Sequence, residues 1–484
     1  CDMKALKSIR TVCVALLVVV MSSCDSWLDL KPIDKVLEDQ LYETEEGFKQ
    51  ALTGVYVELN QGTLYGGDLM FRMVEILAQR YNLGSIGSYK EWVAYNYGDD
   101  DVKKSIDGLW QKMYSLIMNC NKLWENADLR KEVFTGDNYN IIYGEALALR
   151  AMLHFDLLRL FGPVYKTNPK GLSICYNKKF AYQGSNILPA SEVIDNVLED
   201  LKQAEQLLVK DPVITEGPRN TAASDGVNDL RLRTYRLNYY AVQALMARVY
   251  LYAGRNEDAL IMARKLVEIQ SKWYPFADYN SLMESGNKSK DRVFSTEVLF
   301  GLENKKRGEI FTNYFTPELD NGILAPTNTS LLNIFLTEST SDCRFTPFWI
   351  RPDNGKYSFR CFHKYEAPEE SDPFFSYLVP MIRISEMFYI VAETTDDETE
   401  ARTCLNLVRR NRGLVAFEDT EMVDIQQVLK EEYMKEFFGE GQLFFYYKRL
   451  NVSSIPAGDD SGMITMDEVK YKFPLPDSET DYRN

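Results

Sequence analysis

The sequence predicts an all-α fold built from neighbouring pairs of helices. Apolar residues recur at three- and four-residue spacing through most of the 484 positions, the signature of helices with one buried face. Between these stretches stand clusters of Gly, Pro and Asn that punctuate the chain. Several of the helical stretches also come as close pairs across a short turn. A chain of this length holds about two or three ordinary domains, but a helical array carries it as one unit.

Taken in order, Phe48, Leu52, Val55 and Leu59 form the first stripe, with Thr44 as N-cap and Glu45 and Glu46 at the positive end of the helix dipole. Leu69 to Tyr81 reads as a second helix. Ile106, Trp110, Met113, Ile117 and Leu123 or Trp124 line a third, and Ile142 to Phe161 a long fourth that stops at Gly162-Pro163. Ser191 caps a fifth, which runs to Leu208 and turns Ile194, Val197, Leu201 and Ala204 inward. Asn238 to Glu268 is two helices about Ala253-Gly254-Arg255-Asn256. Its small and aromatic residues, Ala247, Tyr250, Gly254 and Ala259, match the tetratricopeptide helix-turn-helix, where small side chains let paired helices approach. A second such hairpin joins Ile382 to Ala392 with Thr399 to Asn411. The expected architecture is a short tetratricopeptide-like helical-repeat superhelix. Gly162 to Pro189, Pro212 to Asp229 and the long Phe276 to Ser376 interrupt it as loop-rich insertions carrying a few short strands, with Glu297 to Glu303 the clearest strand.

The N-terminal stretch has a different purpose. Lys4, Lys7 and Arg10 precede the apolar run Val12 to Met21, which is of signal-peptide length and too short to span a bilayer. Small residues then lead to a cysteine, Met21-Ser-Ser-Cys24, a pattern that resembles the lipobox of bacterial lipoproteins. Residues 1–23 are expected to be removed, with lipid added at Cys24, which begins a single domain over 24–484 with its irregular insertion at about 276–376. A plain secretory signal with a chance cysteine is the alternative.

Composition narrows the function. With 55 basic and 71 acidic residues the net charge is −16, which disfavours a nucleic-acid partner. Once the leader and Cys24 are set aside, Cys120, Cys175, Cys343, Cys361 and Cys404 remain, an odd set without a complete disulfide framework. Cys120 and Cys404 read as core residues, whereas Cys343 and Cys361 could pair. Two histidines are too few for a zinc site: His154 lies on a packed helix as a core imidazole, and His363 is isolated from other ligand types. No phosphate loop, Gly-x-Ser-x-Gly or His-Glu-x-x-His appears. Glu432, Glu436 and Glu440, four residues apart, share a helical face and are expected to pair with Arg or Lys of a neighbouring helix. Carboxylates are numerous enough that a glycosidase-like pair stays open. Asp99-Asp100-Asp101 reads as a solvated loop ahead of a calcium site.

Aromatics make up 13% of the chain, with 30 tyrosines. One group of rings stands outside the helical stripes, in Ser88-Tyr-Lys-Glu-Trp92-Val-Ala-Tyr95-Asn96-Tyr97-Gly98. Rings beside an amide and charges are what a sugar needs, since its CH faces stack on rings and its hydroxyls bond to polar groups. Trp92, Tyr95, Asn96 and Tyr97 are therefore the candidate binding residues, with Tyr314 closing the far side. A loop folded back onto the helices is an equal alternative.

Seven stretches, in order along the chain, resemble the SusD/RagB family of Bacteroidetes nutrient-binding lipoproteins: 24–56 (beginning CDSWLDLKPID), GEALALRAMLHFDLLRLFGPV (144–164), YYAVQALMARVYLYAGRNEDAL (239–260), RISEMFYIVAE (383–393), CLNLVRRNRG (404–413), LKEEYMKEFFGEGQLFFYYKR (429–449) and FPLPDSE (473–479). The resemblance implies a tetratricopeptide-like scaffold that is lipid-anchored on the outer membrane, faces the cell exterior and lies as a lid over a SusC-like TonB-dependent barrel. It implies ligand binding by variable insertions, so the shared motifs are scaffold and assign no site residue. The function expected is delivery of a glycan to that transporter, with no enzyme activity and no cofactor. A peptide-binding member of the family, and an all-α hydrolase using a carboxylate pair, are the alternatives. Arg150 and Arg159, which share a helix with Asp156 or Glu145, are expected to pair with buried carbonyls or acids.

Overall fold

The computed structural model describes residues 40–480, apart from 84–86, 181–184, 220–229, 339, 353–356 and 370–372. The leader and Cys24 lie outside these residues.

The helical stripes of the first half fold much as their spacing dictates. Helix α1 (Glu45–Leu59) opens on Thr44, whose Oγ1 accepts the Gly47 N–H at 3.2 Å, and buries Phe48, Leu52, Val55 and Leu59. The second stripe does not make one helix. Residues 60–72 are a run of tight turns, and only α2 (Met73–Leu77) is helical. Gly66 and Gly67 explain this: a Cβ there would stand 1.9 Å from the Asn60 carbonyl oxygen and 2.2 Å from that of Gly62. The chain folds tightly on itself, and its apolar side chains are enclosed from all sides.

The short α3 (Lys90–Val93) leads to the 30-residue α4 (Asp100–Leu129). The acidic triplet at 99–101 is a helix start, not a solvated loop. Asp99 Oδ1 accepts the N–H groups of Asp101 and Val102 at 3.0 and 3.2 Å, where negative charge also suits the dipole. Helix α5 (Asn138–Phe161) is buried almost all round and is gripped by α4 and by α6 (Ala190–Leu207). A hairpin of β1 (Leu172–Cys175) and β2 (Ile187–Pro189) precedes α6. Pro189, not Ser191, holds the N-cap position, because β2 runs straight into the helix and Ser191 falls inside its first turn.

The helical hairpin α7 (Tyr239–Tyr252) and α8 (Asn256–Trp273) turns at Gly254, φ +70°. In the insertion, β3 (Val298–Glu303) is followed by α9 (Arg307–Tyr314) and by the small pair β4 (Trp349–Ile350) and β5 (Cys361–Phe362). β3 then pairs antiparallel with β6 (Leu378–Arg383), a partner only the fold reveals. The second hairpin is α10 (Ile384–Thr394) with α11 (Glu398–Asn411), followed by α12 (Ile425–Glu436), α13 (Leu443–Leu450), a hairpin of β7 (Ser454–Pro456) with β8 (Met463–Thr465), and α14 (Glu468–Tyr471). Packing passes from α4 to α5, α6, α7, α8, α10 and α11 in turn, as in a helical-repeat superhelix.

A band of ion pairs crosses the core. Arg344, Arg383 and Arg412, each 2% exposed or less, meet Glu297, Asp342, Glu432, Glu436 and Glu440. The glutamates do pair with arginines, but Arg344, Arg383 and Arg412 come from turns and from the end of β6 and not from a neighbouring helix, and the glutamates themselves do not share one helix. α12 stops at Glu436, and Glu440 arrives from the turn beyond, where Gly439 and Gly441 take φ of +72° and +67°. Arg150 is bidentate to Asp200 at 2.7 Å and Arg159 pairs with Asp156, whereas Glu145 turns to Arg233 at 2.7 Å. Cys343 and Cys361 do not pair. Both are buried free thiols, as are Cys120, Cys175 and Cys404. His154 is a core imidazole: Nδ1–H donates to Arg150 O at 2.9 Å, Nε2 accepts the Asn177 N–H at 3.0 Å, and burial pushes its pKa down to about 3.

Candidate functional site

Residues 87–98 form one 3-10 turn, Gly87–Tyr89, then α3, then a return through Tyr95 to α4. The return is pinned from beneath. Gln79 and Tyr95 both adopt left-handed backbone, φ +56° in each, which a non-glycine residue holds only under tertiary constraint. Gln79 Nε2 donates to Val93 O at 3.0 Å and to Tyr95 Oη at 3.3 Å, and its Oε1 accepts the Gly458 N–H. Tyr95 Oη in turn donates to Leu77 O at 2.7 Å. At the other end Tyr97 donates its hydroxyl to Lys470 O at 2.7 Å and lays its ring 5.0 Å from that of Phe473.

This geometry removes two of the five candidates. Tyr95 and Tyr97 are 7% and 6% exposed, so they present no open ring face, and their hydroxyls are occupied by main-chain carbonyls. They hold the loop. Trp92 is half-buried, edge-on to Tyr97 and Phe473 at 6.4 and 6.0 Å. Asn96 is exposed and donates to Glu91 Oε2 at 2.7 Å. Tyr314, at the end of α9, is half-exposed and remains a surface candidate.

Around Tyr314 the fold gathers groups for which the sequence offered no signal. Arg72 leaves the turn before α2 and donates from Nε to Asp68 Oδ1 at 2.5 Å. Its other two nitrogens make only long bonds, at 3.3 Å each, to Tyr314 Oη and to Gly62 O. The guanidinium carbon lies 5.8 Å from the centre of the Tyr314 ring, which is itself 5.2 Å from Phe71. Tyr89 is half-buried within electrostatic reach of Arg72, Tyr314 and Asp68. Burial raises its phenol pKa, and its hydroxyl makes no hydrogen bond among the described residues. Burial alone would weaken the charge on Arg72, but the bond to Asp68 more than offsets it and holds the guanidinium ionised. The result is a fixed cation, a carboxylate, two phenols and ring surface, all reachable by water. Such a set can bond several hydroxyls at once while a ring takes up an apolar face. Among the described residues no cluster of His, Cys, Asp and Glu could hold a metal, and no helix is long and apolar enough to cross a membrane.

Fold and surface together define a helical-repeat scaffold that displays an aromatic, polar patch on its irregular segments. Residues 26–251 match a family described as "Starch-binding associating with outer membrane", and residues 342–481 match the SusD family. The chain belongs to the SusD/RagB family. The SusD-like protein P38 of Formosa agariphila is 25% identical over 267 residues, 53% of this chain and 45% of that protein. The SusD-like protein P25 of the same organism is 24% identical over 150 residues, 29% of this chain and 28% of P25. Each match spans less than half of the relative's own length. Among solved structures, a SusD superfamily protein of Bacteroides thetaiotaomicron superposes with a TM-score of 0.68 at 20% identity, covering 90% of this chain and 98% of that one. A SusD-like carbohydrate binding protein of Bacteroides vulgatus gives 0.67 at 17% identity, covering 90% and 96%. At these identities the likeness is one of fold.

Proposed function

We propose that this protein is a non-catalytic, lipid-anchored receptor of the outer membrane that binds an oligosaccharide at Arg72, Asp68, Tyr89 and Tyr314 and passes it to a SusC-like TonB-dependent barrel. The observation that carries the reading is the unspent bonding capacity of this cluster, where Arg72 has two nitrogens on long bonds and the Tyr89 hydroxyl has no hydrogen bond among the described residues. Trp92 and Asn96 lie on the adjoining loop and extend it. The glutamates on which a hydrolase could draw, at 432, 436 and 440, are spent in buried ion pairs, which supports binding over turnover. The anchor rests on the lipobox pattern at Cys24, and the transporter on family membership.

Calorimetry against a panel of neutral polysaccharides, at low and high salt, tests the site. Wild type should bind one of them with little dependence on salt, since no net charge is neutralised, and Arg72→Ala should weaken that binding by about tenfold or more. The thermal midpoint should hardly move, because Arg72 lies in a partly exposed turn. An Arg72→Ala protein that binds like wild type would sink the site. Binding confined to peptides, and lost as salt rises, would replace the glycan.

A further inference from the structure

We propose a second sugar-contacting surface beside this site, an inference that rests on the glycan reading above. Between the start of α4 and α14 lies an open cleft of about 550 Å³, within the range that ligand pockets occupy. The hollows beside Arg159, of about 10 and 30 Å³, are by contrast water-sized. Tyr97 and Phe473 lie buried beneath the cleft and support it, and Val469, 73% exposed, and Pro474 supply its apolar surface. Lys103, Glu468 and Lys472 stand around it, and among the described residues none of these three side chains makes an ion pair or a hydrogen bond.

Two ammonium donors and one carboxylate acceptor about an apolar surface suit a neutral polyol. Its hydroxyls accept from the lysines and donate to Glu468, while a CH face lies on Pro474 and Val469. An anion fits poorly, because Glu468 and the acidic start of α4 at Asp99, Asp100 and Asp101 repel it. Trp92 joins the cleft to the first site. It packs against both buried rings, and Tyr89 precedes it by one helical turn. The occupant is therefore a linear glycan long enough to cover both surfaces, with the cleft reading its distal units.

The experiment is calorimetry of wild type and of Glu468→Ala/Lys472→Ala with malto-, xylo-, manno- and laminari-oligosaccharides, each from disaccharide to octasaccharide. Among the described residues neither altered side chain makes an ion pair or a hydrogen bond, so the fold should hold, and a thermal melt checks it. Expected is equal affinity of the two proteins for the shortest saccharides. The longest should bind wild type more tightly and lose about tenfold in the variant. Wild-type affinity that stops rising at the disaccharide, or a variant that binds the octasaccharide like wild type, overturns the cleft and leaves the Arg72 site standing. Absence of binding for every saccharide in both proteins overturns the glycan reading and the cleft with it.

Discussion

Arg412 and Arg72 are both held by carboxylates, yet their side chains are 0% and 26% exposed. Arg412, just past the end of α11, bonds Glu297 at 2.8 and 2.6 Å and Glu436 at 3.0 and 2.6 Å, so its guanidinium is fully committed. Arg72 makes one short bond, to Asp68, and two long ones. The same residue types thus perform opposite tasks. Around Arg412 the desolvation of the charge is matched by pairing on every nitrogen, and nothing is left for a ligand. On the surface, water covers the unspent donors until a ligand replaces it. Spare bonding capacity at an accessible position, and not charge itself, distinguishes the proposed binding residue from the scaffold residue.

The contrast is tested most severely in the core. Replacing Glu436 with Gln should lower stability by about 3–5 kcal/mol, since Arg383 and Arg412 lose their shared counter-charge while staying buried. Burial raises the Glu436 pKa, but Arg412 and Arg383 outweigh burial and hold it well below its ordinary 4.5. A depressed folded pKa means a contribution present above the unfolded value and lost as pH falls beneath it, so wild type should weaken below about pH 4.5 more steeply than the variant. Urea unfolding across that range gives the answer; coincident wild-type and variant curves would break the comparison.

His154 tests the same core at milder pH. Its folded pKa is about 3 against an ordinary 6.5, so the unfolded chain takes up a proton that the native one refuses. Stability should fall as pH drops from above 6.5 toward 3, by about 2 kcal/mol at pH 5 from this group alone. The loss between pH 7 and pH 5 should be smaller in His154→Gln by that amount. An identical loss in both proteins would mean that His154 is protonated in the fold.

Tyr89→Phe probes the surface side and has the smallest expected effect. It removes one hydroxyl that is unpaired among the described residues, at the edge of the proposed site, so unfolding should be unchanged while oligosaccharide affinity drops by about threefold to tenfold. Unchanged affinity would take Tyr89 out of the site, and a changed melting curve would make it scaffold after all.

Legibility in the sequence follows the same division. The stripes of α1, α4 and α5 were readable because a helix that buries one face repeats its apolar residues along the chain. Leu69 to Tyr81 repeats them too, yet Gly66 and Gly67 let the backbone close on itself and the helix shrinks to Met73–Leu77. In the aromatic loop there is no period to say which way a ring faces. In the sequence Tyr95 and Tyr97 are indistinguishable from Trp92, and only the folded contacts with Leu77, Gln79 and Lys470 turn them inward.

By itself the sequence determined the helical class, the family and the paired-helix units, and it pointed to basic partners for Glu432 and Glu436. These follow from local periodicity and residue type, which travel with the chain. Only the tertiary structure decided which charges are buried and which rings stay open. Arg72 meets Tyr314 across 242 positions of sequence, and Glu297 meets Arg412 across 115. Whether such a meeting lies in water or in the core depends on everything packed around it, and no stretch of neighbouring residues contains that information.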